Sequence, residues 1–201
     1  MKLIYIMDPQ CGWCFGFAPQ ISKFDVSVRF GGMWLSPQAP IGGPSLADFI
    51  KNNGPRMEQI TGRKLGKAYY ELCLNSDYEF SSLPPCAACL LVKKRHPDQL
   101  KNFVALLQDK FFIKGKRMDK EEVYKEIMDE LGFRGEDQHY VFSNWMSYEN
   151  IEETHKEFEY SRYLTAGGYP TVLAQKDGKI YTLSQGFTTQ ENLEKAIQGL
   201  R

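Results

Sequence analysis

The sequence has no net charge: 25 lysines and arginines stand against 25 aspartates and glutamates over 201 residues. That balance argues against a broad nucleic-acid footprint and against a basic membrane surface, so neither partner is expected. No apolar run approaches the roughly 18 residues of a membrane-spanning helix. Met1-Lys2-Leu3-Ile4-Tyr5-Ile6-Met7-Asp8 carries an apolar stretch too short for the core of a signal peptide, and no small-residue cleavage site comes after it. The expectation is a soluble, cytoplasmic protein, with the proviso that a chain stripped of its leader would look the same. Histidine is scarce, and His96, His139 and His155 have no ligand spacing to one another or to a carboxylate motif. No metal or other cofactor is expected from them. Five cysteines fit catalytic or metal-binding use in a reducing compartment better than a stapled secreted framework. No internal repeat or low-complexity segment appears, and oligomeric state is left open.

What is present concentrates at Asp8-Pro9-Gln10-Cys11-Gly12-Trp13-Cys14-Phe15-Gly16-Phe17. The preceding run Leu3-Ile4-Tyr5-Ile6-Met7 reads as a buried strand, Asp8-Pro9 as a turn, and the residues from Gly12 onward as the start of a helix. Free N–H groups and the helix dipole favour negative charge there, which marks Cys11 as the nucleophile. A first helical turn returns Cys14 to bridging reach of Cys11, so Cys14 is the resolving thiol. A zinc knuckle or a pair of core cysteines is the competing reading of a CxxC spacing.

Beyond the motif, Phe15, Phe17, Ala18, Ile21 and Phe24 have helical spacing, with Pro19 expected to kink rather than end the helix. Val26–Phe30 alternates as a second strand and completes a right-handed βαβ unit. Met33-Trp34-Leu35 extends that strand or forms a loop wall, and a Pro/Gly-rich loop runs from Ser36 to Pro44. Ser45 is expected to cap a helix through Asn52, closed by Gly54-Pro55, with a separate helix over Arg56–Ile60 and another over Lys67–Leu74 that turns Ala68, Leu72 and Cys73 inward. Cys73 reads as a small core residue. A helix starts at Pro84-Pro85 and carries Cys86 and Cys89, and Pro97 ends it. Leu100, Phe103, Val104, Leu107 and Phe111 form one apolar face; Val123, Ile127 and Leu131 another; Tyr140, Phe142 and Trp145 a third. Ile151, His155, Phe158, Arg162 and Tyr163 lie near helical spacing before the break at 166–170. Lys176-Asp177-Gly178-Lys179 then joins two short strands as a hairpin, and a final helix begins near Thr189. The expected fold class is α/β: βαβ and ββα parts at 1–44 and 151–201, with an all-helical insertion at 45–150.

The motif resembles the DsbA-like branch of the thioredoxin superfamily, in particular its cytosolic bacterial, FrnE- and protein-disulfide-isomerase-like members, through Asp8, Pro9, Cys11, Trp13, Cys14, Gly16 and Phe17. Gly12 and Trp13 depart from the Cys-Pro-His-Cys of the periplasmic oxidases, so the direction of electron flow does not carry over. The resemblance covers the whole chain and implies a thioredoxin-like fold interrupted by a helical subdomain. It implies that Gly168-Tyr169-Pro170-Thr171 is a cis-proline loop facing the CxxC, with Gly12, Trp13, Tyr169 and Pro170 shaping the contact surface. The activity it implies is thiol–disulfide exchange between the Cys11–Cys14 disulfide or dithiol and protein thiols or a small thiol, with glutathione as a candidate co-substrate. Two other functions stay open: an adaptor presenting a partner to a protease, and a glutathione-dependent transferase or isomerase. Cys86-Ala87-Ala88-Cys89 carries three readings: a second redox pair, buried core residues, or half of a four-cysteine zinc site with Cys11 and Cys14.

Overall fold

The computed structural model describes residues 1–165 and 168–200. Its centre is β1 (Lys2–Met7), whose residues Ile4 to Met7 are all buried because both faces of the strand are covered. β1 pairs in parallel with β2 (Ser27–Phe30) across the crossover helix α1 (Gly12–Ile21), and antiparallel with β3 (Thr171–Lys176). β3 continues into β4 (Lys179–Gln185), giving the mixed order β2-β1-β3-β4. The hairpin turn places Asp177 and Gly178 at φ 51° and 74°. Positive φ at both central residues matches the twist of the flanking strands, which is why Asp-Gly signals such a turn. Thr189 caps α9 (Gln190–Gln198) through the Asn192 N–H, and Leu193 and Ile197 bury its apolar stripe.

Between β2 and β3 the chain is helical: α2 (Pro44–Thr61), α3 (Lys67–Leu72), α4 (Leu83–Arg95), α5 (Leu100–Phe112), α6 (Glu121–Glu130), α7 (Glu136–Asn144) and α8 (Tyr148–Leu164). One cluster of buried side chains runs from Tyr5, Val28 and Val172 on the sheet through Phe17 and Phe103 to Ile127 on α6. A small second cluster, Ile4, Ile6 and Leu173, occupies the other face of the sheet.

The structure corrects several local expectations. α2 is one helix, passing through Gly54-Pro55 instead of ending there. The α conformation before a proline is opposed largely by the preceding residue's Cβ, which Gly54 lacks, and a Cβ at Gly54 would stand 3.0 Å from both Leu65 and the Tyr70 hydroxyl. Its N-cap is Gly43, ahead of Pro44, and Ser45 does not cap it. In α3 Leu72 is buried as expected, Tyr69 rather than Ala68 is its buried companion, and the buried Cys73 is the C-cap. On α7 Tyr140 and Phe142 pack half-buried against the core and Trp145 is buried at its C-cap, while Val141 is the fully buried residue of the helix.

The largest correction concerns α8, whose first turn contains residue 151. Its buried stripe is Asn150, Thr154, Glu157, Phe158 and Ser161, while Tyr163 is 85% exposed. That stripe is mostly polar because it is a hydrogen-bonding face. Asn150 Nδ2 donates to the Ala87 and Trp145 carbonyls at 3.2 and 2.8 Å. Glu157 accepts from Arg29 at 2.6 Å, from the Phe30 N–H at 3.3 Å and from Lys93 at 3.4 Å. Apolar periodicity cannot report a face of this kind.

Candidate active site

β1 ends at Met7, and Asp8 fixes the turn into α1. One Asp8 oxygen accepts the Gln10 N–H at 2.8 Å and the other the Met33 N–H at 2.7 Å, so the carboxylate ties that turn to the loop after β2. Burial pushes the Asp8 carboxyl above the usual range, although both N–H groups pull it back. The Cys11 N–H closes the turn onto the Asp8 carbonyl at 3.1 Å.

Cys11 is the N-cap of α1, in extended conformation, and its sulfur accepts the Cys14 N–H at 3.4 Å. A sulfur thus stands where a serine or aspartate oxygen normally satisfies an orphan N–H, at the end of the helix that favours negative charge. The Cys11 thiol points at the Tyr169 carbonyl, 3.7 Å away. The Tyr169–Pro170 bond is cis, and the Tyr169 hydroxyl donates to the Gly31 carbonyl at 2.8 Å. Gly31 is needed for that seat, since a Cβ there would lie 2.0 Å from the Tyr169 ring. Pro170 is held from behind by the Gly186 N–H on its carbonyl at 2.7 Å. The structure therefore brings Cys11, Cys14, Tyr169 and Pro170 together, with Gly12 and Trp13 on the partly exposed first turn. Part of the expected loop, Ala166 and Gly167, lies outside the described residues.

The two thiols differ sharply in surroundings. Cys11 is 4% exposed and borders a cavity of about 340 Å³ walled by Trp13, Met33, Trp34, Phe49, Met57 and Tyr69. Cys14 is fully buried, and burial, then its hydrogen-bonding contact with Cys11, pushes its thiol well above the ordinary value. Such a pair can present one sulfur to a partner while holding the other in reserve. Met33 and Trp34 do form a loop wall, but Phe49, Met57 and Tyr69 come from α2 and α3, and no spacing in the sequence joins them to Cys11. A wider groove of about 580 Å³ beside Lys2, Asp25 and Glu194 holds no thiol.

Cys86 and Cys89 lie in α4, both fully buried, and neither lines the cavity beside Cys11. The Cys86 sulfur faces the Gly32 N–H, yet burial pushes both thiols well above the usual range. Cys73 is also buried, and its thiol is pushed up to about 11, with the Tyr69 hydroxyl opposing. All five cysteines are free thiols. Among the described residues no three or more His, Cys, Asp or Glu side chains are grouped to hold a metal, so the four-cysteine arrangement is not formed. Among the same residues no helix is long and apolar enough to cross a membrane.

No protein-family model and no curated protein matches the sequence. Solved structures do match along its full length. A candidate protein disulfide isomerase from Nitrosomonas europaea superposes with a TM-score of 0.82 at 22% identity, over 99% of this chain and 97% of that one. The cytosolic disulfide reductase DsbM from Pseudomonas aeruginosa gives 0.81 at 25% identity, over 100% and 98%. The same protein with glutathione gives 0.80 at 24%, over 100% and 98%. Reduced DsbA1 from Neisseria meningitidis gives 0.51 at 16%, over 99% and 81%.

Proposed function

We propose that this chain, which has the fold of the DsbA-like branch of the thioredoxin superfamily, is a thiol–disulfide oxidoreductase that works through Cys11 and Cys14. The observation that carries this reading is the Cys11 sulfur, held between the Cys14 N–H at 3.4 Å and the Tyr169 carbonyl at 3.7 Å. Cys11 attacks a partner disulfide and forms a mixed disulfide. Cys14 then attacks Cys11, the Cys11–Cys14 bond forms, and the partner leaves as a thiol. A buried resolving thiol beside the attacking one supports exchange over chemistry that needs a single sulfur, which is the weight against the transferase or isomerase reading.

The partner side of the reaction is read from the cavity and the loop. Once Cys11 has lost its proton, the Tyr169 carbonyl is released and can pair with an extended peptide, the strand-addition mode of recognition. The apolar wall suits a cysteine flanked by apolar groups. The glutathione complex of DsbM supports a small thiol as the regenerating co-substrate. Five cysteines, four of them in two Cys-x-x-Cys pairs, suit work in a reducing, cytoplasmic setting better than a stapled secreted framework.

The test is equilibration of the protein in glutathione buffers of graded ratio, with the Cys11–Cys14 disulfide quantified by acid trapping and peptide mapping. The expected outcome is one reversible two-electron transition confined to Cys11 and Cys14. A wild type that shows no such transition, together with a Cys11→Ser/Cys14→Ser variant that keeps partner binding, would make the chain an adaptor and overturn the assignment.

A further inference from the structure

The cavity beside Cys11 does not end at its rim. Trp34 and Phe49, which wall it, also line a second hollow of about 500 Å³ that includes Pro40 and Ile41, so the two form one trough that starts at a thiol. Phe49 is 55% exposed and Ile41 62%, which leaves two large apolar side chains standing in water along that trough. Other exposed apolar residues, such as Leu74, Ile180 and Tyr163, line neither hollow. Apolar side chains scattered singly need no explanation, whereas a contiguous exposed patch marks an interaction site. Among the described residues that line either hollow, none carries a charge.

The trough is built in advance of any partner. One side of it is the Pro/Gly-rich loop, which is stitched to residues 78–82. The Trp34 N–H donates to Ser82 Oγ at 3.0 Å, and the Ser82 N–H donates to the Trp34 carbonyl at 2.7 Å. The Phe80 N–H donates to the Pro40 carbonyl at 2.8 Å, the Gly42 N–H to the Tyr78 carbonyl at 2.9 Å, and Ile41 forms an antiparallel bridge with Glu79. The Trp34 ring meets Phe80 edge-on, 6.3 Å between centroids. The other side is α2, a regular helix that carries Phe49. A surface fixed in this way loses little freedom when a partner binds, so its apolar area is available for affinity.

We propose that this trough is the specificity site for an extended segment of a partner protein, one whose disulfide-bonded cysteine has a large apolar side chain two residues away. The proposal rests on the exchange reading of Cys11 and Cys14. A segment paired with the Tyr169 carbonyl runs as a strand, in which side chains two apart share a face and stand about 7 Å from one another. With the cysteine turned to Cys11, the side chain two positions away turns to the same surface, where Trp34, Phe49 and Ile41 receive it. The adjacent side chain points away. Glutathione brings two carboxylates and an ammonium group to uncharged walls and has no apolar side chain, so it reaches Cys11 without using the trough. In the exchange, the partner S–S bond breaks and its two sulfurs leave as thiols, while the Cys11 and Cys14 thiols become a disulfide. Electrons and protons balance with no further reactant.

The test mixes the reduced protein with glutathione disulfide and with the symmetrical disulfides of two end-blocked peptides of equal composition, Phe-Gly-Cys-Gly-Phe and Gly-Phe-Cys-Phe-Gly. Acid quenching and mass spectrometry give the rate at which the Cys11–Cys14 disulfide forms. The first peptide should react about tenfold faster than the second, the effect of burying one aromatic side chain. Ile41→Ser and Phe49→Ser, both at exposed positions, should bring that ratio toward one, and Ile41→Ser should keep the wild-type rate with glutathione disulfide. Should one variant fail to fold, the other and the wild-type ratio decide. Equal peptide rates in the wild type, or a ratio that survives the substitutions, would overturn the trough, and continued reduction of glutathione disulfide would leave the exchange reading intact. No disulfide formed from any of the three would overturn both. Sedimentation at the same concentrations covers the remaining occupant: a dimer that Ile41→Ser dissociates would mean that a second copy of the chain fills the trough, and would overturn the proposal.

Discussion

The chain holds two Cys-x-x-Cys pairs, each near the start of a helix, and the fold gives them different surroundings. Cys11 is the cap itself: its sulfur takes the Cys14 N–H, borders a cavity and faces the Tyr169 carbonyl. Cys86 lies past the first turn of α4, behind Ser82, Leu83, Pro84 and Pro85, where its own N–H already bonds the Ser82 carbonyl at 3.1 Å. One turn of displacement along a helix moves a thiol from the positive end, open to a partner, to a wall packed beside Gly32. The same spacing therefore gives two thiol environments, and position relative to the cap separates them.

Exchanging the roles of the pairs by mutation gives the largest expected contrast. Cys11→Ser should reduce disulfide exchange to background, whereas Cys86→Ala and Cys89→Ala should retain the wild-type rate and lose about 1 kcal/mol of stability each. Exchange lost in either alanine variant at full folding would make the second pair a relay and break the comparison. Next in size, Cys14→Ser should hold the partner on Cys11, and mixed disulfides should accumulate on non-reducing gels. A lane without them under trapping conditions would favour the adaptor reading.

Gly31→Ala probes the loop that the second pair lacks. The added methyl would meet the Tyr169 ring at 2.0 Å, so Tyr169 must leave its seat and take its carbonyl away from Cys11. A displacement of about 1 Å at a reacting centre can lower the rate about a hundredfold. The expected result is a loss of that order in mixed-disulfide formation with little change in Cys11 alkylation by iodoacetamide. Equal losses in both would place the effect on the thiol and not on partner positioning.

The legible parts of the molecule are the local ones. The β1–turn–α1 segment declares itself through Leu3–Met7, Asp8-Pro9 and the helical spacing after Cys14, because strand, turn and cap each lie within a few residues. The hairpin at Asp177-Gly178 and the cap at Thr189 are local too. The cavity wall is not legible, since Phe49, Met57 and Tyr69 meet Cys11 only through packing of α2 and α3. The polar stripe of α8 escapes an apolar pattern because the Asn150 amide nitrogen and the Glu157 carboxylate bond to groups about 60 to 130 residues away in sequence, such as Ala87 and Arg29. Tyr5 falls in the expected strand, but nothing in the strand pattern says that its hydroxyl faces a thiol.

The smallest expected effect separates the pairs by pH. Burial raises the Cys86 and Cys89 thiols in the folded protein, whereas in the unfolded chain they return to about 8.5. Above that pH the unfolded chain releases protons that the folded protein keeps. The folded state then binds more protons, and its stability falls as pH rises. The contribution is complete below about pH 8 and is lost toward the raised folded values. A Cys86→Ala/Cys89→Ala double variant lacks both groups, so its deficit against the wild type should be greatest near pH 7 and should narrow by about pH 10. Urea denaturation of the reduced proteins at the two pH values measures it. A gap that stays constant would mean that these thiols already ionise freely in the folded protein, and the contrast between a buried pair and a presented one would fail at its physical root.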